Sequence, residues 1–172
     1  TIGADGLGLI SYYDHTNTAL KVAHCQDTAC TRADHISTPD SEGLVGRHSS
    51  ITIGADGLGL ISYADFGNRD LKVAHCDDIA CTSVTTNILD SAGAVGEYSS
   101  IAIGVDGLGL ISYLNITDGD LKVAHCADIV CTNATTATLD STGYVGAYTS
   151  IAINEDGLGL ISYNDNTNGD LK

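Results

Sequence analysis

The octapeptide DGLGLISY stands at Asp5–Tyr12, Asp56–Tyr63, Asp106–Tyr113 and Asp156–Tyr163, letter for letter. The first step between copies is 51 residues and the next two are 50. Other landmarks keep the same step. LKVAHC begins at Leu20, Leu71 and Leu121, and VG at Val45, Val95 and Val145. A period of about 50 residues lies in the range of propeller blades.

The second copy shows what one period builds. SSITIG alternates, with Ile51 and Ile53 on one face. Asp56-Gly57 is a tight-turn signal between two such runs. Leu58, Leu60 and Ser62 then share one face of a strand, and Gly59, Ile61 and Tyr63 the other. DFGNRD reads as a polar turn. LKVAHC alternates again, DDIA is a short connection, and CTSVTTNILD is rich in β-branched residues. SAGAVGEY reads as a glycine-bearing loop. No segment has the 3.6-residue periodicity of an amphipathic helix. The expectation is an all-β chain, a β-propeller-like array of four-stranded antiparallel blades. One such sheet cannot cover both its faces, so each copy supplies the packing surface its neighbour needs. Gly59 and Ser62 are expected to let neighbouring sheets approach closely. The repeats divide as 1–48, 49–98, 99–148 and a partial 149–172, in one domain of about three and a half repeats.

Thr1–Tyr12 repeats Thr52–Tyr63, and Lys172 matches Lys72 and Lys122. The first residue therefore falls inside a first strand and the last inside a third. Either the chain is a piece of a longer repetitive one, or its part-blades are completed by another molecule. A head-to-tail contact that does not close gives a filament. Near-identical copies make the pairing register between molecules degenerate.

Composition narrows the function classes. The chain has 172 residues with 22 acidic and 7 basic side chains, a formal charge of −15. That argues against nucleic acid as a partner, because phosphates need a basic surface. No apolar run is long enough for membrane insertion. Met and Trp are absent, with one Phe, Phe66, and one Pro, Pro39. The core must then be Leu, Ile, Val, Ala and Tyr.

The six cysteines fall in three pairs of equal spacing: Cys25 and Cys30, Cys76 and Cys81, Cys126 and Cys131. Each pair brackets the turn between third and fourth strands of a copy. Even pairing at fixed spacing is the oxidised pattern, and it places the protein outside the cell or at its surface. The competing reading is a metal site, because His24, His75 and His125 each precede a cysteine. Adjacent strand residues point to opposite faces, however, and the spacing is wider than zinc sites favour. These histidines are otherwise expected beside a Tyr or a backbone carbonyl.

The polar turns offer a second metal candidate. DNTNGD places Asp165 and Asp170 as calcium candidates, but it lacks the terminal Glu and residue order of an EF-hand loop. Asp and Asn in turns commonly bond their own backbone. Asp5, Asp56, Asp106 and Asp156 are read as turn-formers. No other cofactor is expected. Among the tyrosines, Tyr12, Tyr63, Tyr113 and Tyr163 recur in an apolar strand and are read as core. Tyr98, Tyr144 and Tyr148 lie near the loops between copies and are the ligand-binding candidates. Sequons stand at Asn115 and Asn133, and in a bacterium they would be chance matches.

An enzyme is not expected. Arg32, Arg47 and Arg69 fall at different places in the repeat, with no sign of convergence. Glu42, Glu97 and Glu155 give no converging carboxylate pair of the kind glycoside hydrolysis uses. No nucleophile elbow or phosphate-cradling loop is present.

The run SSIAIGVDGLGLISY followed by DGDLKVAHC, with ISYYD at Ile10–Asp14, resembles a repeat of bacterial and archaeal secreted proteins. These are described as β-propellers of sialidase-like or BNR-like kind. The resemblance implies a propeller fold for the whole chain and implies no activity. The leading expectation is a non-enzymatic extracellular structural or adhesive protein that self-assembles into a filament or surface layer. The alternative is a glycan-binding propeller lectin, which requires equivalent polar and aromatic side chains at a pocket in each blade.

Overall fold

Each repeat folds as a meander whose turns are written in its sequence. In the computed structural model, which describes all 172 residues, there are fourteen strands and no helix. The first sheet holds β1 (Leu9–Asp14), β2 (Ala19–Cys25) and β3 (Ala33–Asp40). The second holds β4 (Val45–Ile53), β5 (Gly59–Asp65), β6 (Asp70–Cys76) and β7 (Val84–Asp90). The third holds β8 (Val95–Ile103), β9 (Gly109–Asn115), β10 (Asp120–Cys126) and β11 (Ala134–Asp140). The fourth holds β12 (Val145–Ile153), β13 (Gly159–Asp165) and β14 (Asp170–Leu171). In each sheet consecutive strands are neighbours and every pairing is antiparallel. The chain is a propeller-like array of blades, with β4, β8 and β12 side by side along its inner edge.

In the first three copies the Asp-Gly turn is closed by the aspartate itself, and in the fourth Asn154 Oδ1 accepts the Leu158 N–H instead. Asp56 Oδ1 accepts the Leu58 N–H at 3.1 Å, and Gly57 takes the positive φ of 82°. The extra residue of the first repeat is absorbed in the outer strand. There the β2–β3 register shifts at His24/Cys25 as well as near Leu20, whereas β6–β7 shifts only at Leu71/Lys72. Pro39 is tolerated because β3 is an edge strand.

Two departures from the sequence reading concern the inner strands. The stretch VGEY is strand and not loop, so each sheet begins at Val45, Val95 or Val145 and the connecting loops are four residues long, at 41–44, 91–94 and 141–144. Gly96 starts the crossing with φ 89°, and a Cβ there would lie 2.8 Å from Leu71 Cα of the preceding blade. Only glycine permits that approach. Each inner strand also carries a bulge. Glu97 faces Leu114 and Ser100 faces Ser112, so Tyr98 and Ser99 together oppose Tyr113.

Blade faces pack as the alternation requires. Ile61, Tyr63 and Ala74 of the second blade bury against Leu9, Leu20 and Val22 of the first. Leu60, Leu71 and Val73 bury on the other side, against Ile111, Tyr113 and Ala124 of the third. Each such side chain contributes roughly 1.5–3 kcal/mol when fully buried. Gly59 does let the sheets approach, since a Cβ would lie 2.9 Å from Leu9 Cδ2.

A polar cluster repeats at every junction. Tyr63 donates to Asp40 Oδ2 at 2.7 Å, and Lys72 pairs with the same oxygen. Tyr113 and Lys122 grip Asp90 at 2.6 and 2.5 Å. Tyr163 and Lys172 grip Asp140 at 2.9 and 3.2 Å. Tyr63 and Tyr113 are core, as expected, while Tyr12 is 38% exposed.

Candidate functional site

The two ends of the array differ in kind. One end carries the Asp-Gly turns, the disulfides and three His–Asp pairs. The cysteines bond within each pair, Cys25–Cys30, Cys76–Cys81 and Cys126–Cys131, and no cysteine is free. The metal reading of these thiols therefore falls. His24, His75 and His125 face Asp5, Asp56 and Asp106, each with Nε2 to Oδ2 at 2.8 Å. The histidine partners are thus turn carboxylates, neither Tyr nor backbone. Each aspartate serves its own turn with one oxygen and the histidine with the other.

The opposite end carries the polar turns and the four-residue loops. Here Asp165 is consumed by its turn. It accepts Thr167 N–H and Asn168 N–H at 3.0 Å, and Asn168 Nδ2 at 2.8 Å. Lys172 lies 3.0 Å away. The Asn168 amide first, and then Lys172, pull its pKa down to about 2. Asp170 is exposed, and no cluster of three or more acidic, His or Cys side chains is placed to hold a metal. Asp165, one of the two calcium candidates, is thus committed to its own turn and to Lys172.

Repeats differ most at this end. Leu44, Ala94 and Tyr144 are equivalent, as are Arg47, Glu97 and Ala147, and Thr18, Arg69 and Gly119. The consequence is one open inter-blade cavity, between the second and third blades. It has a volume of about 320 Å³ and is lined by Asp65, Phe66, Arg69, Ala94, Val95, Glu97 and Ile116. Ala94 is why it is open. At the next junction Tyr144 packs over Gly119, where a Cβ would be 3.0 Å from its Cδ2. A pocket in every blade, the lectin expectation, is not what the structure has.

Side chains around the cavity are held from below. Asp65 accepts Gly67 N–H and Asn68 N–H at 2.9 and 3.0 Å, which commits it to the turn. The Arg69 N–H donates to Asp65 O at 2.7 Å and its carbonyl accepts the Val95 N–H at 3.0 Å. Burial pushes the Glu97 carboxyl above the usual carboxylate range, with Arg47 pulling the other way. The Arg47 guanidinium lies 4.7 Å from the Phe66 ring centre and 5.1 Å from that of Tyr13. Neither Arg47 nor Arg69 forms an ion pair with a carboxylate. Arg47 thus lies over Phe66, and Phe66 and Arg69 line the same cavity.

The three sequence-nominated tyrosines are split. Tyr144 fills the third junction. Tyr98 and Tyr148 sit on the inner edge in a column with His48. His48 stacks on Tyr98 at 4.3 Å, and the Tyr98 and Tyr148 ring centres are 4.3 Å apart. With Ser49, Ser99 and Thr149 they line a shallow cleft of about 280 Å³. The cavity residues Phe66, Arg69 and Glu97 went unnoticed in the sequence as a group. The usable signal was their departure from otherwise repeated positions.

No protein-family model and no curated protein matches the chain. Solved structures do. A bifunctional GH43-CE protein of Bacteroides eggerthii aligns with a TM-score of 0.60 at 14% identity, over 92% of this chain and 21% of that one. The likeness is one of fold. An endo-1,4-beta-xylanase from Bacteroides thetaiotaomicron aligns with a TM-score of 0.46 at 12% identity, over 100% of this chain and 76% of that one. The chain spans about a fifth of the first neighbour's length. At 14% identity the likeness to the first neighbour reaches no further than the fold. No helix is long and apolar enough to cross a membrane.

Proposed function

We propose that the chain is a non-enzymatic, extracellular glycan-binding scaffold of propeller-like blades, whose ligand sits in the cavity between the second and third blades. One observation carries this reading. At the next junction Tyr144 fills the equivalent position, whereas Ala94 leaves this one open, beside Phe66, Arg69 and Glu97. A sugar ring offers C–H faces to an aromatic wall and hydroxyls to charged groups, which suits a mixed apolar and polar concavity. Glu97 is the one cavity carboxylate not already bound to its own turn, so the paired carboxylates of glycoside hydrolysis are lacking. The disulfides support the extracellular assignment.

The test is a glycan array with the intact protein and an Ala94→Leu variant. Leu stands at the equivalent position 44, so the fold is expected to hold. Binding by the parent and at least a tenfold loss in the variant, about 1.4 kcal/mol, supports the reading. No binding by the parent, or equal binding by the variant, overturns it.

A second reading, self-assembly into a filament or surface layer, rests on different residues. Ile10 and Tyr12 on the first blade are 46% and 38% exposed, whereas Ile61 and Tyr63 are at 0%. Leu160 and Leu171 on the fourth are 70% and 81% exposed, whereas Leu60 and Leu71 are at 0%. These two faces are the halves of an internal junction, and a second copy of the chain fits them. Sedimentation at rising concentration decides: growing mass supports self-assembly, and a constant monomer ends it.

A further inference from the structure

The chain holds no Met and no Trp, and all six cysteines are in disulfides. The side chains that oxidise first in other proteins are thus absent or spent. Eight tyrosines remain as the readiest one-electron donors. Most are badly placed to react together. Tyr63, Tyr113 and Tyr163 hold aspartates with their hydroxyls at the junctions. Tyr12, Tyr13 and Tyr144 have no tyrosine ring beside them.

Tyr98 and Tyr148 are different. Their ring centres are 4.3 Å apart with planes inclined by 46°. Both residues occupy the left-handed region, each with φ 54°, at equivalent bulges of β8 and β12. That conformation is uncommon for a bulky residue, and neighbouring strands hold it in place. Thr149 Oγ1 donates to Tyr98 O at 2.9 Å, and the Ile151 N–H donates to Ser100 Oγ at 3.2 Å. His48 backs Tyr98 from the other side, with planes inclined by 14°, and its Nδ1 accepts the Tyr98 N–H at 2.9 Å. Tyr148 is 68% exposed, so an oxidant reaches the pair from solvent. The adjoining Tyr148 phenol, ahead of burial, pushes Tyr98 up to about 12.

We propose that Tyr98 and Tyr148 form a site for oxidative cross-linking to a dityrosine, with hydrogen peroxide and a haem peroxidase as the oxidising system. Each phenol gives up one electron and one proton. The two phenoxyl radicals join through a carbon ortho to each oxygen, and the displaced ring protons return the oxygens to phenols. The pair loses two hydrogens in all, and one peroxide becomes two waters. The product ties two blades together. No existing covalent link does this, because each disulfide stays within one hairpin end, between residues five apart.

The experiment treats the intact protein with peroxide and peroxidase. The expected product is a monomer lighter by two hydrogens, with blue dityrosine fluorescence and a linked peptide pair containing positions 98 and 148. Tyr148→Phe is expected to abolish that product while leaving the unfolding midpoint unchanged, and Tyr144→Phe to leave the yield unchanged. His48→Ala is expected to lower the yield severalfold by releasing Tyr98. Links between other tyrosines, cross-linking confined to covalent dimers, no reaction, or an unchanged product in Tyr148→Phe would each overturn the proposal.

Discussion

The two ends of the array use the same repeats in opposite ways. At the disulfide end the three copies with a following LKVAHC strand present the same aspartate-closed turn, the same His–Asp pair and the same bridge. At the loop end the frame repeats while its filling does not. The Tyr–Asp–Lys clusters recur at each junction, yet Leu, Ala and Tyr succeed one another at 44, 94 and 144. Uniformity marks what holds the blades, and variation marks where a surface is shaped. Four substitutions or conditions bear on that distinction.

The largest effect is expected where the repeated frame is buried. Asp90 has 5% side-chain exposure and Lys122 12%. Asp90→Ala leaves the Lys122 charge and the Tyr113 hydroxyl without their shared acceptor. A loss of about 3–5 kcal/mol is expected, as for breaking one partner of a buried pair. Urea unfolding measures it. An effect below about 1 kcal/mol would show that the junctions are held by their apolar faces alone. A Tyr113→Phe, Lys122→Met, Asp90→Leu triple variant is expected to recover much of the loss, because apolar replacements of a buried cluster are often neutral.

This cluster shows what the sequence concealed. The four-strand meander was legible in DGLGLISY and LKVAHC, because turn chemistry and alternation are local. The cysteine pairs were legible for the same reason. Asp40, Tyr63 and Lys72 are separated by 23 and 9 residues, and they meet only after two blades pack. Nothing in local pattern points from one to the next. The bulges at His48, Tyr98 and Tyr148 were hidden in another way. A strand with an extra residue breaks alternation, so VGEY looked like a loop. Arg47 lies on β4 and Arg69 in the turn after β5, and both come to the neighbourhood of Phe66 only in three dimensions.

Next in size is removal of one bridge at the uniform end. Each disulfide closes a loop of about six residues, for which the chain-entropy relation gives about 2 kcal/mol. Cys76→Ser with Cys81→Ser is expected to lose that much. Because all three loops are alike, the same double change at 126 and 131 is expected to lose a similar amount. Unequal losses would break the uniformity of this end.

Acid is expected to weaken the repeated frame. Burial raises the Asp40 and Asp90 carboxyls, but the Lys72 and Lys122 ion pairs, the tyrosine hydroxyls and backbone N–H groups outweigh it and leave both below the ordinary value. A carboxyl with a depressed folded pKa stabilises above its unfolded pKa, and that stability is lost as pH falls through the folded value. Stability is therefore expected to drop below about pH 4, the ordinary aspartate pKa. Lys122→Met, which removes one cause of the depression, is expected to make that drop shallower in acid-unfolding curves.

The smallest effect belongs to the variable end and has the opposite sign. Burial raises the Glu97 carboxyl, so the folded chain gives up its proton at higher pH than the unfolded chain does. Such a group is destabilising above the folded pKa, where it is ionised in both states, and the penalty disappears below the unfolded pKa. Glu97→Gln removes the charge and is expected to raise stability at pH 7 by no more than about 0.5 kcal/mol, since the side chain is only half-buried. At pH 4 the gain should shrink toward zero. Urea midpoints at the two values read the difference directly. A loss at pH 7 would mean that Arg47 holds Glu97 as part of the frame, and that the variable end is structural where it touches the cavity.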